Sequence, residues 1–152
     1  MGTQFKGKQQ EISSLNTYLK LIRAADSIRS RLNNYLVENG ITENQFSVLD
    51  VLYHLGPTNQ KELGKKLLRS GGNITLVIDN LEKSGLVKRV RGKEDRRQFI
   101  VEIEEPGKKL FKKIFPGFLD MIVETADILS AKEQKELQRL TKKIGLGKPV
   151  DD

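Results

Sequence analysis

Residues 59–103 read NQKELGKKLLRSGGNITLVIDNLEKSGLVKRVRGKEDRRQFIVEI, and two periodicities meet inside them. Asn59 with Glu62 has the side chains to open a short helix that turns Leu63 and Leu67 inward. Ser70-Gly71-Gly72 supplies a turn. A second helix over about 72–83 then places Ile74, Val77, Ile78 and Leu81 on one face by i, i+3, i+4, i+7 spacing, and leaves Asn73, Thr75, Leu76, Asp79, Asn80 and Lys83 facing outward. Ser84-Gly85 ends that helix, and the period changes to two. A strand starts at Leu86, a basic loop covers 91–98, and Phe99, Val101 and Ile103 alternate with Ile100 and Glu102 as a returning strand.

Helix, turn, helix, hairpin is the order of a winged helix, so the expected fold class is mainly α with a small β-hairpin wing. Charge points the same way. Residues 56–100 hold eleven Lys/Arg against five Asp/Glu, whereas the remainder holds sixteen against fifteen, so nearly all of the net charge of +7 sits in this module. A positive field concentrated in one region seeks a polyanion.

Working outward, a chain of 152 residues, 37% hydrophobic and 31% charged, suits one globular domain over 1–152. The absence of cysteine excludes disulfides, thiol nucleophiles and Cys-ligated zinc. MGTQFKGKQQ has no apolar core of a leader, and no stretch approaches the roughly 18 apolar residues of a membrane span; a cytoplasmic protein without membrane contact is expected.

Upstream of the module, Ile12, Leu15, Leu19, Ile22, Ile28, Leu32 and Leu36 recur at near-helical spacing until Asn39-Gly40 stops them. Thr42-x-x-Gln45 is a capping box ahead of a second helix with Phe46, Leu49, Leu52 and Tyr53, which Gly56-Pro57 ends. Downstream, a helix from Pro106 carries Leu110, Ile114, Phe118, Met121 and Ile122. Phe115-Pro116-Gly117 is expected to kink or interrupt it. Ser130-x-x-Glu133 is another capping box, opening a last helix with Leu137, Leu140 and Ile144. The helices over 12–39 and 106–146 show apolar stripes wider than a small module needs, so they are expected to dimerise the chain, leaving 42–103 as the winged helix-turn-helix.

The outward face of the 72–83 helix lacks the Lys/Glu mixture of an ordinary solvated helix. Asn73, Thr75 and Asn80 are short hydrogen-bonding groups and Leu76 is apolar, a set suited to base edges and thymine methyls in a major groove. Ser70, Gly71 and Gly72 let the helix start approach phosphate, and Asn59 and Gln60 precede it on the shorter helix. In the wing, Arg91, Lys93, Arg96 and Arg97 can enter a minor groove or bind phosphates, with Asp95 able to hold an arginine in place.

These residues resemble the MarR (multiple antibiotic resistance regulator) family of bacterial winged-helix transcription factors over about residues 12–145. The likeness is strongest from Gln60-Lys61-Glu62-Leu63 through NITLVIDNLEKSGLVKRV to EDRRQFIVEIEEPGKKL. The family's wing motif of Asp, any residue, Arg falls on Asp95 and Arg97, and its recognition-helix threonine falls on Thr75. Two departures stand out: Leu76 replaces the arginine that commonly follows the threonine, and Glu104 replaces the usual threonine cap after the wing. The resemblance implies a homodimer with interleaved terminal helices, a double-stranded DNA operator, no cofactor, and a small aromatic or phenolic effector. Leu19, Ile22, Phe46, Leu49, Tyr53 and His54 are the candidate lining of its pocket, although core packing is the plainer reading of the same residues.

Enzyme signals are weak. His54 is the lone histidine, expected to be partly buried, and has no second histidine or cysteine with which to build a metal site or triad. Gly2-x-x-x-x-Gly7-Lys8 imitates a phosphate loop, but Gln9 stands where Ser/Thr is needed. The expected activity is therefore non-enzymatic: a ligand-responsive, sequence-specific repressor on a pseudo-palindromic operator. The alternative is an architectural or protein-interaction winged helix that binds nucleic acid without sequence preference.

Overall fold

Four of the described helices start where a side chain takes up an orphan backbone amide. The computed structural model describes residues 2–67, 71–92 and 97–148, and of Gly71 and Gly72 it describes the backbone. Helix α1 (Gln9–Glu38) begins three residues before the first apolar position, with the Glu11 carboxylate accepting from the Lys8 amide at 2.7 Å. Helix α2 (Glu43–Leu55) opens on the expected box: Thr42 Oγ1 accepts from the Gln45 amide at 3.2 Å, and Gln45 Oε1 from the Thr42 amide at 3.0 Å. Gly56, at φ 78°, lets the chain turn out of α2 in a conformation that a side chain would strain.

The next two residues form a strand that the sequence pattern did not suggest. β1 (Thr58–Asn59) pairs antiparallel with β3 (Phe99–Ile103), which pairs in turn with β2 (Val87–Arg91), giving a three-stranded sheet in the order β1-β3-β2. Two residues are too few to show alternation, so only the partner strand discloses β1. Register runs from Val87↔Ile103 to Arg91↔Phe99 in the hairpin, and Asn59 faces Ile100 on the other edge. Between β1 and β2 lie α3 (Gln60–Lys66) and α4 (Gly71–Lys83).

By backbone contacts the chain divides into two compact units, 1–118 and 119–152. The first holds a continuous core. Ile74, Val77, Ile78 and Leu81 of α4 are buried as their spacing requires, together with Leu36, Phe46, Leu49, Leu52, Leu63, Val87, Val101, Phe111 and Ile114. Removing these side chains from water is what holds α4 and the sheet together. In the second unit, α6 (Ala131–Leu146) starts on the Ser130/Glu133 box and buries none of its residues; Leu137, Leu140 and Ile144 are exposed, as are Ile122 and Ile128.

Helix α5 (Glu105–Ala126) settles one of the two expected outcomes at Pro116: the helix is not interrupted there. Proline deprives the Lys112 carbonyl of its helical donor, but Lys112 and Pro116 are both exposed, so water can replace it. At Gly117 a Cβ would stand 2.4 Å from the Tyr35 hydroxyl, which donates to the Ile114 carbonyl at 3.0 Å. Glycine there lets the Tyr35 ring of α1 reach the α5 backbone without being displaced.

Candidate nucleic-acid interface

A groove of about 770 Å³ opens where α3, α4 and the wing meet. α3 contributes Gln60, Lys61, Glu62 and Lys65, α4 contributes Ile74 and Thr75, and the wing contributes Arg97, Gln98 and Phe99, with Asn59 of β1 at the edge. Asn59 does two things at once. Its carbonyl oxygen caps α3 by accepting from the Lys61 amide at 2.8 Å, and its amide nitrogen donates to Gln98 Oε1. The start of the helix pair is thereby tied to the returning side of the wing.

On α4, Asn73, Thr75, Leu76 and Asn80 are exposed, Leu76 at 60%, opposite the buried Ile74, Ile78 and Leu81. A leucine so exposed, beside short amides and a hydroxyl, is a surface able to meet base edges and methyl groups. Gly71 and Gly72 form the first turn of α4. In the wing, Arg91 stacks its guanidinium 4.6 Å from the ring centre of Phe99, its register partner, and both remain partly exposed. The expected Ser70, Lys93, Asp95 and Arg96 lie outside the described residues, so the pairing of Asp95 with an arginine has no structural account.

Arg89 lies at the centre of a charged cluster that the sequence pattern did not suggest. Asp79 faces outward with its side chain 41% exposed, and its carboxylate meets Arg89 at 2.6 Å; Glu82 meets the same guanidinium at 2.9 Å. Acidic residues at i and i+3 on α4, followed by an arginine on the next strand, are the signal that could have found this cluster. Lys88, the neighbouring residue, lies on the opposite side of the strand. It is bracketed by Glu102 at 3.3 Å and Glu104 at 3.0 Å, and the hydrogen bond to Glu104, then that to Glu102, holds its pKa above the ordinary lysine value.

Of the candidate effector residues, Phe46, Tyr53 and His54 converge on the Phe111 ring. A mostly apolar cavity of about 250 Å³ lies between α1 and α2, walled by Ala25, Ile28, Leu32, Leu36, Phe46 and Phe118, with Arg29, Asn33, Glu43 and Ser47 at its polar side. Of the six expected residues only Phe46 lines it. Leu49 is fully buried core, Leu19 and Ile22 lie nearer the start of α1, and Tyr53 lines a separate, polar groove with Lys88 and Glu105. Helical spacing puts a residue on a face, but it does not say which neighbouring helix covers that face. His54 is half-exposed, its Nδ1 2.9 Å from the Asp50 carboxylate, and packs edge-on against Phe111 and Phe115. Among the described residues no cluster of His, Cys, Asp and Glu could hold a metal ion.

Six helices with a three-stranded sheet, counted among the described residues, and an exposed polar face on the second helix of the pair define a winged helix-turn-helix protein. The MarR family sequence profile matches residues 41–99. The HTH-type transcriptional regulator MhqR of Bacillus subtilis is 35% identical over 133 residues, covering 88% of this chain and 92% of that protein. The chain therefore belongs to the MarR family of transcriptional regulators. Two solved structures share the fold: the MarR family regulator Sco3205 of Streptomyces coelicolor in complex with DNA, and the PcaV regulator of the same organism in complex with its natural ligand. The first has TM-score 0.84 and 20% identity over 96% of this chain and 92% of that one. The second has TM-score 0.73 and 22% identity over 82% and 89%.

Proposed function

We propose that this chain is a sequence-specific repressor, not an enzyme, that binds a pseudo-palindromic operator as a homodimer in the cytoplasm and releases it when a small aromatic or phenolic molecule binds. The observation that carries the reading is the face of α4: Asn73, Thr75, Leu76 and Asn80 stand exposed on a helix whose other face is locked into the core. Lysine and arginine on phosphates supply affinity, and that face supplies specificity. Complexes of the same fold with DNA and with a ligand support both parts by analogy.

The homodimer is supported by apolar side chains that one copy leaves in water, Tyr18 and Ile22 on α1 and Leu137, Leu140 and Ile144 on α6. A second copy would bury them and place two α4 helices about 34 to 36 Å apart, or a multiple, along the duplex. For the effector, the α1/α2 cavity, which shares Phe46 with the lining expected from sequence, is a candidate site, and its size suits a single ring. Ligand binding that favours a dimer geometry out of step with the grooves, by roughly 1 to 3 kcal/mol, weakens the operator complex about 5- to 150-fold.

Selection of duplexes from random-sequence DNA, with sedimentation of the free protein at micromolar concentration, tests the reading. A pseudo-palindrome preferred by ~10³ over its scrambled form, and a dimer, are expected. Equal affinity for both duplexes would favour the architectural alternative, and a monomer would refute the dimer.

A further inference from the structure

Arg89 lies on β2 with its side chain 14% exposed, too enclosed to reach along a phosphate backbone. Its guanidinium donates from Nε to Gln60 Oε1 at 2.9 Å, from Nη1 to Glu82 Oε2 at 2.9 Å and from Nη2 to the Thr75 carbonyl at 3.2 Å, while Nη2 also meets Asp79 Oδ1 at 2.6 Å. Gln60 Nε2 then donates to Thr75 Oγ1 at 3.0 Å. Resting on the reading of α4 as a recognition helix, we propose that Arg89 is a positioning residue for base reading, which sets both the seat of α4 and the orientation of the Gln60–Thr75 pair without touching DNA.

The chemistry of the groups gives this relay its direction. Arginine has five donors and no acceptor, so the Gln60 amide must turn its oxygen toward Arg89 and its nitrogen toward Thr75. Thr75 Oγ1 thus accepts a hydrogen bond from inside the protein, which fixes the rotamer that it presents to the groove. The planar fork reaches three elements at once: Gln60 at the head of α3, Thr75, Asp79 and Glu82 along α4, and its own strand β2. A lysine could neutralise the two carboxylates but could not hold all three in register. With two carboxylates around one guanidinium the cluster carries no surplus positive charge, so Arg89 adds to the basic count of the module without adding to its grip on phosphate.

The test uses the full chain, the duplex that the wild-type protein selects from random-sequence DNA, and a scrambled copy of it. Arg89→Lys and Gln60→Ala should each cut the preference for the selected duplex about tenfold while leaving affinity for the scrambled one and the salt slope within about twofold. The double variant should lose no more than the larger single loss, because both changes break one relay. Asp79→Asn leaves the guanidinium in place and removes a negative charge, so it should lower preference while scrambled-duplex affinity holds or rises; it decides the matter if Arg89→Lys does not fold, as circular dichroism would show. Retained preference in these variants, multiplying losses in the double variant, or equal weakening on both duplexes would overturn the assignment. A wild-type protein that selects no sequence overturns the recognition reading itself, and that arm alone reports it.

Discussion

Gly107→Ala should destabilise the protein by about 2 kcal/mol. Gly107 is buried in the first turn of α5, where the helix crosses the start of the wing. A Cβ there would stand 2.2 Å from the Leu86 carbonyl oxygen, 3.1 Å from its carbon and 3.0 Å from Ile103 Cγ1. Carbon and carbonyl oxygen ordinarily approach to about 3.3–3.6 Å, so roughly 1 Å must be recovered by moving backbone. That oxygen is not free to yield, because it accepts from the Glu104 amide at 2.9 Å and so fixes β2 to the head of α5. Overpacking costs about 1–3 kcal/mol, and a backbone obstacle belongs at the upper end. Alanine's better helix propensity offsets roughly 0.5–1 kcal/mol. The remainder corresponds to a thermal midpoint lower by about 4–8 °C for a chain of this size. Urea titration at fixed protein concentration measures it, with Gly145→Ala as the control: that glycine, near the end of α6, has no atom within 4 Å of an added Cβ and should be neutral or stabilised by a few tenths of a kcal/mol. A Gly107→Ala protein within ~0.5 kcal/mol of wild type would refute the reasoning, as would an equal loss in the control.

Thr75→Ala and Asn73→Ala should each lose about 1 to 3 kcal/mol on the selected duplex with little change on scrambled DNA, measured by fluorescence anisotropy; equal losses on both would remove them from base reading. Arg97→Ala should weaken both duplexes and lower the salt slope by about one, and an unchanged slope would take it off the phosphates. Glu133, which accepts from the Ser130 hydroxyl and amide, has its carboxyl held below the ordinary glutamate value by the hydroxyl first and the amide second. A lowered folded-state pKa contributes stability above the unfolded value and loses it as pH falls through the folded one, so Ser130→Ala should raise the Glu133 pKa in an NMR titration and make α6 less sensitive to acid.

Much of this fold was legible because its core obeys simple periods. Ile74, Val77, Ile78 and Leu81 could only be the inner face of a helix, and all four are buried. Both capping boxes were readable because their partners are three residues apart and need no tertiary information. What failed depends on distance in sequence. β1 exists because Thr58 and Asn59 find Val101 and Ile100 some forty positions away. Pro116 looked like a break because its lost hydrogen bond is a local fact, whereas the water available at that face is a property of the packed helix. For the effector residues, packing adds what spacing leaves open: Leu49 takes the core role that was the plainer reading, and Ala25, Ile28 and Leu32 join Phe46 around the cavity.

The positive charge of the module shows the same limit in a form that bears on mechanism. Counted along the chain, Lys65, Lys88, Arg89 and Arg97 are equal contributions to a field. In space, Lys88 is bracketed by two carboxylates at the base of the wing and Arg89 is enclosed by two more behind α4, whereas Lys65 and Arg97 both line the groove. Lys88 and Arg89 therefore spend much of their charge on local structure, and a protein can look strongly basic in sequence while fewer cations remain to displace counterions from DNA. It follows that the salt slope should fall short of the count of lysines and arginines between 56 and 100. The shortfall should come from the residues that order the reading head, because holding α4 in place and gripping phosphate make opposite demands on an arginine: one needs it enclosed by carboxylates, and the other needs it facing water.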